Sequence, residues 1–154
     1  FDYKASSMTP HLSGLDVLFI AGYGPIPRSV SDSQAFYQQT LGLPLKAMEG
    51  NPDYLLAEHG AIGGVNHFAL WPLHQAAQSC FGSDIWPTEH GIPQSWIELE
   101  VADLATATDA LQAEGYHLLV ANRTEAWGQS VTRLLSPEGM LVGLTITPWL
   151  RDPA

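Results

Sequence analysis

The chain has 154 residues, with 16 acidic and 6 basic side chains and a formal charge of −10. A chain of this length fits one domain that buries roughly 70% of its unfolded surface without metal or disulfide staples. The charge argues against nucleic acid and anionic membrane surfaces, which need clustered Lys and Arg. It permits a cationic ligand, whose approach a negative field assists. Apolar runs stop short of the ~18–20 residues of a membrane span, and the single cysteine, Cys80, points to a reducing, cytoplasmic setting.

Residues 1–13 are set aside as an N-terminal extension. Within it, 1–7 lack a signal-peptide pattern, and Met8 is a candidate natural start. The first strand-like run is Leu15–Ile20, followed by the proline-broken segment Gly24-Pro-Ile-Pro27. Ser31-Asp32 offers a helix start, Phe36, Tyr37, Thr40 and Leu41 recur at helical spacing, and Gly42 supplies the stop. Strands are expected near Leu43–Met48, Tyr54–Glu58 and Asn66–Trp71, with turns at 50–53 and 59–64. Residues 74–93 form a connector, and Leu73–Cys80 has the pattern of a short helix.

The second stretch repeats this order. Trp96–Val101 alternates as a half-buried strand, and Asp103 caps a helix carrying Leu104, Ala107 and Leu111 that stops at Gly115. Strands follow at His117–Ala121, Ser130–Leu135 and Leu141–Thr147, the last two joined by a tight turn at Ser136-Pro-Glu-Gly139. The expected organisation is α+β, with βαβββ modules over 14–73 and 94–149 and a tail over 150–154.

Several phrases, in this order, carry a family resemblance. They are Ser33-Gln-Ala-Phe36-Tyr37 leading into Leu41-Gly-Leu-Pro-Leu45, Trp96-Ile-Glu-Leu-Glu-Val-Ala-Asp103, and Leu134-Leu-Ser-Pro-Glu-Gly139 running on to Gly143. With them the chain resembles the glyoxalase/bleomycin resistance/dioxygenase superfamily, also called vicinal oxygen chelate proteins, over most of residues 14–148. The resemblance implies two curled mixed sheets with helices on the convex side and a cleft on the concave side. It also implies a homodimer.

Enzymes of that superfamily hold a divalent metal with His and Glu side chains from the first and fourth strands of each module. The matching positions here are Gly22 or Tyr23, Trp96 and Gly143, none of them a donor, and only His67 could match one. A catalytic cation needs three or four converging donors and an open position. No metal site of the usual kind and no cofactor are therefore expected, and the chain looks closest to the non-metal, bleomycin-resistance branch.

Side chains alternate across a strand, so Trp96, Glu98 and Glu100 are expected to face the cleft, with Ile97, Leu99 and Val101 under the helices. The same alternation puts His67, Ala69 and Trp71 on one face of their strand. Trp127 and Gln129 stand in a glycine-containing loop suited to ligand contact. Trp71, Trp86 and Trp149 also read as packing or dimer-contact residues. The expected ligand set is Trp96, Glu98, Glu100, His67, Trp71, Trp127 and Gln129, binding or sequestering an aromatic or cationic organic molecule, as in antibiotic resistance. The alternative is a lyase, isomerase or dioxygenase-like enzyme, either metal-free with a glutamate as base or using an unusual metal site on His67 and Glu98.

Overall fold

The computed structural model describes residues 12–151. The expectations for residues 1–11 and 152–154 lie outside the described residues. The element order is β1 (Val17–Pro25), α1 (Val30–Gln34, extended by a π-helical turn, Ala35–Thr40), β2 (Leu45–Met48), β3 (Asn51–Ala57), β4 (Ala69–Leu70), α2 (Leu73–Phe81), β5 (Ser95–Val101), α3 (Leu104–Ala113), β6 (Val120–Thr124), β7 (Ser130–Leu135) and β8 (Leu141–Ile146). Each half therefore reads strand, helix, three strands, with α2 between them.

The strand order is β1-β5-β8-β7-β6 in one sheet and β2-β3-β4 in the other. β1 joins them. It pairs antiparallel with β5 and makes a parallel bridge, Tyr23 to Phe68, just before β4. Backbone bonds from Tyr23 N–H to His67 O (2.9 Å) and from Trp71 N–H to Pro25 O (3.1 Å) close this seam. The two sheets thus form one curled, open surface.

Alternation decides which face each strand buries. Val101, Leu134 and Leu144 pack with Leu104, Ala107 and Leu111 of α3 on the outer face. At roughly 1.5–3 kcal/mol for each fully buried Leu or Val, this contact fixes the register of β5 and β8. Asp103 caps α3 as expected, its Oδ1 accepting from Thr106 N–H at 3.0 Å. The outer face of the smaller sheet buries Leu45, Leu55, Ala57 and Leu70, with Tyr37 of α1 and Phe68 against them. The start of α1 differs from expectation. Ser29, not Ser31, is the cap, accepting from Asp32 N–H at 3.2 Å.

β1 starts at Val17 and runs past Ile20 to Pro25, into the segment expected to be proline-broken, and three later strands also depart from expectation. The turn expected over 50–53 narrows, because β3 already begins at Asn51. Pro52 is tolerated there because neither neighbour pairs with it: the β2 register skips from Leu55 to Asn51, and β4 meets β3 only through Leu55 and Leu56. The strand expected over 66–71 pairs regularly only at Ala69–Leu70. β6 begins three residues later than His117, and its pairing with β7 is interrupted between Val120 and Arg123.

The connector does more than link. Ala76, Ala77 and Cys80 on one face of α2 pack against Val131, Leu141 and Trp96 on the inner face of the large sheet. The small alanines let the helix sit close, so α2 fills one end of the concave side. Gly82, with φ at +72°, supplies the left-handed cap that ends it. No helix among the described residues is long and apolar enough to cross a membrane.

Candidate functional site

The concave space left open beyond α2 is a cavity of about 870 Å³, within the range of small-molecule sites. Its inner wall is aromatic. The Trp96 indole lies almost fully buried, edge-on to Trp71 with centroids 6.2 Å apart, and its N–H donates to Ala69 O at 3.3 Å. Two glycines on β1 make room for it. A Cβ at Gly22 would stand 2.9 Å from Trp96 Cη2, and one at Gly24 would stand 3.1 Å from Trp96 Nε1 and 1.9 Å from Ala69 O.

This packing bears on the metal positions. Trp96 fills the space beside Gly22 where donors would stand. At the fourth position, a Cβ on Gly143 would lie 3.1 Å from Glu98 Cγ, so Glu98 uses the room that this glycine leaves. His67 lines the cavity, but its Nε2 is 2.9 Å from Tyr54 Oη. Among the described residues no three His, Cys, Asp or Glu side chains converge as a metal site would need. The residues present do not fit the superfamily's metal, and a site on His67 and Glu98 would lack a third donor.

Four charged side chains line the cavity: Glu98, Glu125, Arg123 and Arg133. Arg133 is buried at 3% exposure, and its guanidinium lies 5.0 Å over the Trp71 ring, a cation–π distance. Its Nη1 donates to Ser79 Oγ at 2.9 Å, and it faces Glu98 and Glu125, each at 3.5 Å. Arg123 Nε donates to Glu125 Oε1 at 3.2 Å, and its Nη2 reaches both Ser79 Oγ and the Ser79 carbonyl. Ser79 on α2 therefore holds both cations.

A chain of hydrogen bonds runs from the rim inward. Trp127, exposed at the mouth, donates its indole N–H to Gln129 Oε1 at 2.9 Å, and Gln129 Nε2 donates to Glu98 Oε1 at 2.9 Å. Across the cavity, Asn51 and Gln75 pair reciprocally at 2.9 and 2.8 Å, tying the small sheet to α2. Burial holds the Tyr54 phenol well above its ordinary value, with Glu98 adding and Arg133 opposing. Burial also holds the His67 imidazole below its usual range, with Glu98 pulling the other way. Both rings are therefore neutral at pH 7. Cys80 lies on the buried face of α2, where burial pushes its thiol up and away from nucleophilic use.

Of the residues expected at the site, Trp96, Glu98, His67, Trp71, Trp127 and Gln129 all line the cavity. Glu100 does not. It is fully buried at the far end of β5, with Oε1 accepting from Thr145 Oγ1 at 2.9 Å and Oε2 from Thr147 N–H at 2.6 Å and Arg151 Nε at 2.7 Å. Its side chain shares the face of Trp96 and Glu98, as alternation requires, but the end of β8 and the chain after it cover that end of the strand and take up both oxygens. Trp149, expected in packing or an interface, is 59% exposed and lines the cavity. Arg133, Arg123, Glu125, Tyr54 and Ser79 went unnoticed. Arg133 had a signal, since it shares strand parity with Val131, which faces the inner core.

Solved structures match this architecture over nearly its whole length. A glyoxalase/bleomycin resistance protein/dioxygenase superfamily member from Vibrio splendidus 12B01 is 14% identical over 80% of this chain and 94% of its own, with a TM-score of 0.51. The chain has the glyoxalase/bleomycin resistance/dioxygenase fold. A methylmalonyl-CoA epimerase from Streptomyces coelicolor, in complex with 2-nitronate-propionyl-CoA, is 18% identical over 90% of this chain and 100% of its own, at a TM-score of 0.51. The methylmalonyl-CoA epimerase from Mycobacterium tuberculosis is 20% identical over 91% and 95%, at 0.53. No family profile and no curated protein matches the chain. At these identities the likeness establishes the fold and leaves function to the site.

Proposed function

We propose that the protein binds a small planar aromatic organic molecule in the cavity, holding it without chemistry in the manner of the bleomycin-resistance branch. The observation that carries this reading is the aromatic wall where donors would stand, with Trp96 and Trp71 inside and Trp127 at the mouth. Indole faces give large contact area and stack on flat rings. Within the wider expectation of an aromatic or cationic ligand, the charges favour the aromatic. Glu98 and Glu125 are matched by Arg133 and Arg123, two of only six basic residues in the chain. A simple cation would have to compete with those guanidiniums, whereas a neutral or zwitterionic ring finds paired donors and acceptors in place.

Tryptophan fluorescence tests the reading. Titration with the neutral probe N-phenyl-1-naphthylamine is expected to quench emission at micromolar concentration, more strongly than titration with the cation ethidium. If neither probe changes emission up to about 100 μM, well past the micromolar range expected of such a site, the binding function is refuted. If only ethidium does, the aromatic-over-cation preference is wrong.

A second copy of the chain is the partner we propose for the outer surface. Leu18 and Ile20 on β1 and Phe36 and Leu41 at α1 are each about half exposed, and a second copy would cover them if they form one patch. Light scattering at micromolar protein giving a monomer mass would count against this. A cytoplasmic location belongs to the same proposal, resting on the lone cysteine.

A further inference from the structure

Glu100 raises a question the ligand reading leaves open: why a strand on the cavity wall buries a carboxylate that never reaches the cavity. The segment after β8 answers it. The chain leaves β8 at Ile146 and makes a single 3₁₀ turn, Pro148–Leu150. Thr147 N–H and Arg151 Nε, on either side of that turn, both donate to the same oxygen, Glu100 Oε2, at 2.6 and 2.7 Å. Arg151 Nη2 also reaches the Val101 carbonyl, and Thr145 Oγ1 holds the other carboxylate oxygen at 2.9 Å. One buried anion thus grips the turn at both ends, and charge-assisted bonds to a dry carboxylate are strong.

Between these two anchors stand Trp149 and Leu150, and with Thr147 they line the cavity. Trp149 is more than half exposed. A large apolar ring held out at a mouth, on a turn pinned by an ion pair whose carboxylate is buried, is a surface kept ready for another ring.

We propose that the C-terminal turn is a built wall of the ligand site, in which Trp149 contacts the ligand and Glu100 and Arg151 are positioning residues that act through it. The inference rests on the planar-aromatic reading above. It assigns Glu100 a part in binding without contact, at a distance from Glu98 and the inner tryptophans.

A double-mutant cycle tests it, with N-phenyl-1-naphthylamine as the probe on the full chain. Trp149→Ala is expected to weaken probe binding about 5-fold, the scale of one lost stacking partner. Arg151→Ala is expected to weaken it by a similar factor, and Arg151→Lys to recover part of the loss. Because Arg151 acts through Trp149, the double variant should be no more than about 2-fold weaker than Trp149→Ala alone. Fully multiplicative losses would overturn the positioning role, and unchanged affinity in Trp149→Ala would overturn the wall itself. Amide exchange at Thr147 provides a reading that needs no ligand. Its protection should fall in Arg151→Ala while the amides of α3 keep theirs, and unchanged Thr147 protection would refute the clasp. Failure of the wild type to bind the probe is a different result, which refutes the ligand reading before any variant is compared.

Discussion

Gly24→Ala would break the seam between the two sheets, and the expected cost follows from distances. The added Cβ would lie 1.9 Å from Ala69 O, a backbone atom, and 3.1 Å from Trp96 Nε1. Carbon and oxygen approach to about 3.3 Å at closest in ordinary contacts. The strands must therefore part by more than an ångström. The seam is held there by Tyr23 N–H to His67 O at 2.9 Å and Trp71 N–H to Pro25 O at 3.1 Å, and a separation of that size stretches both past useful length. Two bonds at a net ~1 kcal/mol each, with overpacking strain of about 1–2 kcal/mol, give a loss of roughly 3–4 kcal/mol. A domain of this size should then melt roughly 6–16 °C lower. Urea unfolding would show a lower midpoint, and Trp96 emission would shift to the red as its N–H loses Ala69 O. Gly63→Ala is the control, since nothing stands within 4 Å of a Cβ there, and it should change stability by no more than about 0.5 kcal/mol. If the two variants unfold within about 0.5 kcal/mol of each other, the close approach of β1 to β4 is wrong, and with it the account of why Trp96 sits where it does.

Two further outcomes follow from the cavity's charged and titratable groups. His67 takes a proton less readily folded than unfolded, because burial lowers its value from 6.5. Below about pH 6.5 the unfolded chain therefore binds the extra proton first, and stability falls as pH falls through that window. His67→Gln keeps a hydrogen-bonding partner for Tyr54 but cannot titrate, so its urea midpoint should decline less between about pH 6.5 and 5. Parallel declines in both proteins would show that His67 does not carry this dependence. Arg133→Met removes the buried cation while keeping much of its volume over Trp71. Glu98 and Glu125 then lose a partner, at a cost of about 1–3 kcal/mol. That lies below the figure for a dry ion pair, because the contacts are 3.5 Å long and the Glu98 side chain keeps 15% exposure. The same change should invert probe preference, tightening ethidium about 10-fold as the cavity turns net negative. Unaltered ethidium affinity would mean that Arg133 does not neutralise those carboxylates.

The parts of this fold legible in sequence were those governed by short-range rules. Asp103 as a cap, Gly115 as a stop, the Ser136–Gly139 turn and the alternation of Trp96–Val101 each depend on a few neighbouring residues. The structure places all of them as read. What escaped depends on how distant segments meet. The face of Arg133 follows from strand parity, but its role follows from Ser79, 54 positions away on a helix that reads as a linker. Glu100 had the right parity and still missed the cavity, because five residues beyond β8 cover it.

The glycines show most clearly how the site is specified. Gly22 and Gly143 look like missing donors in sequence, defined only by what they lack. In space they are the clearance that Trp96 and Glu98 occupy. Removing donors from a chelating cleft would by itself leave a hole, and holes in packed proteins are costly. Here Trp96 takes up the clearance at Gly22 and Gly24 and presents an apolar face. On the function proposed above, binding would rest on dispersion over a surface and not on charge polarisation at a point. Such a wall would favour a broad, flat ligand over a small chelating one, and the four charges that remain pair with each other along the cavity.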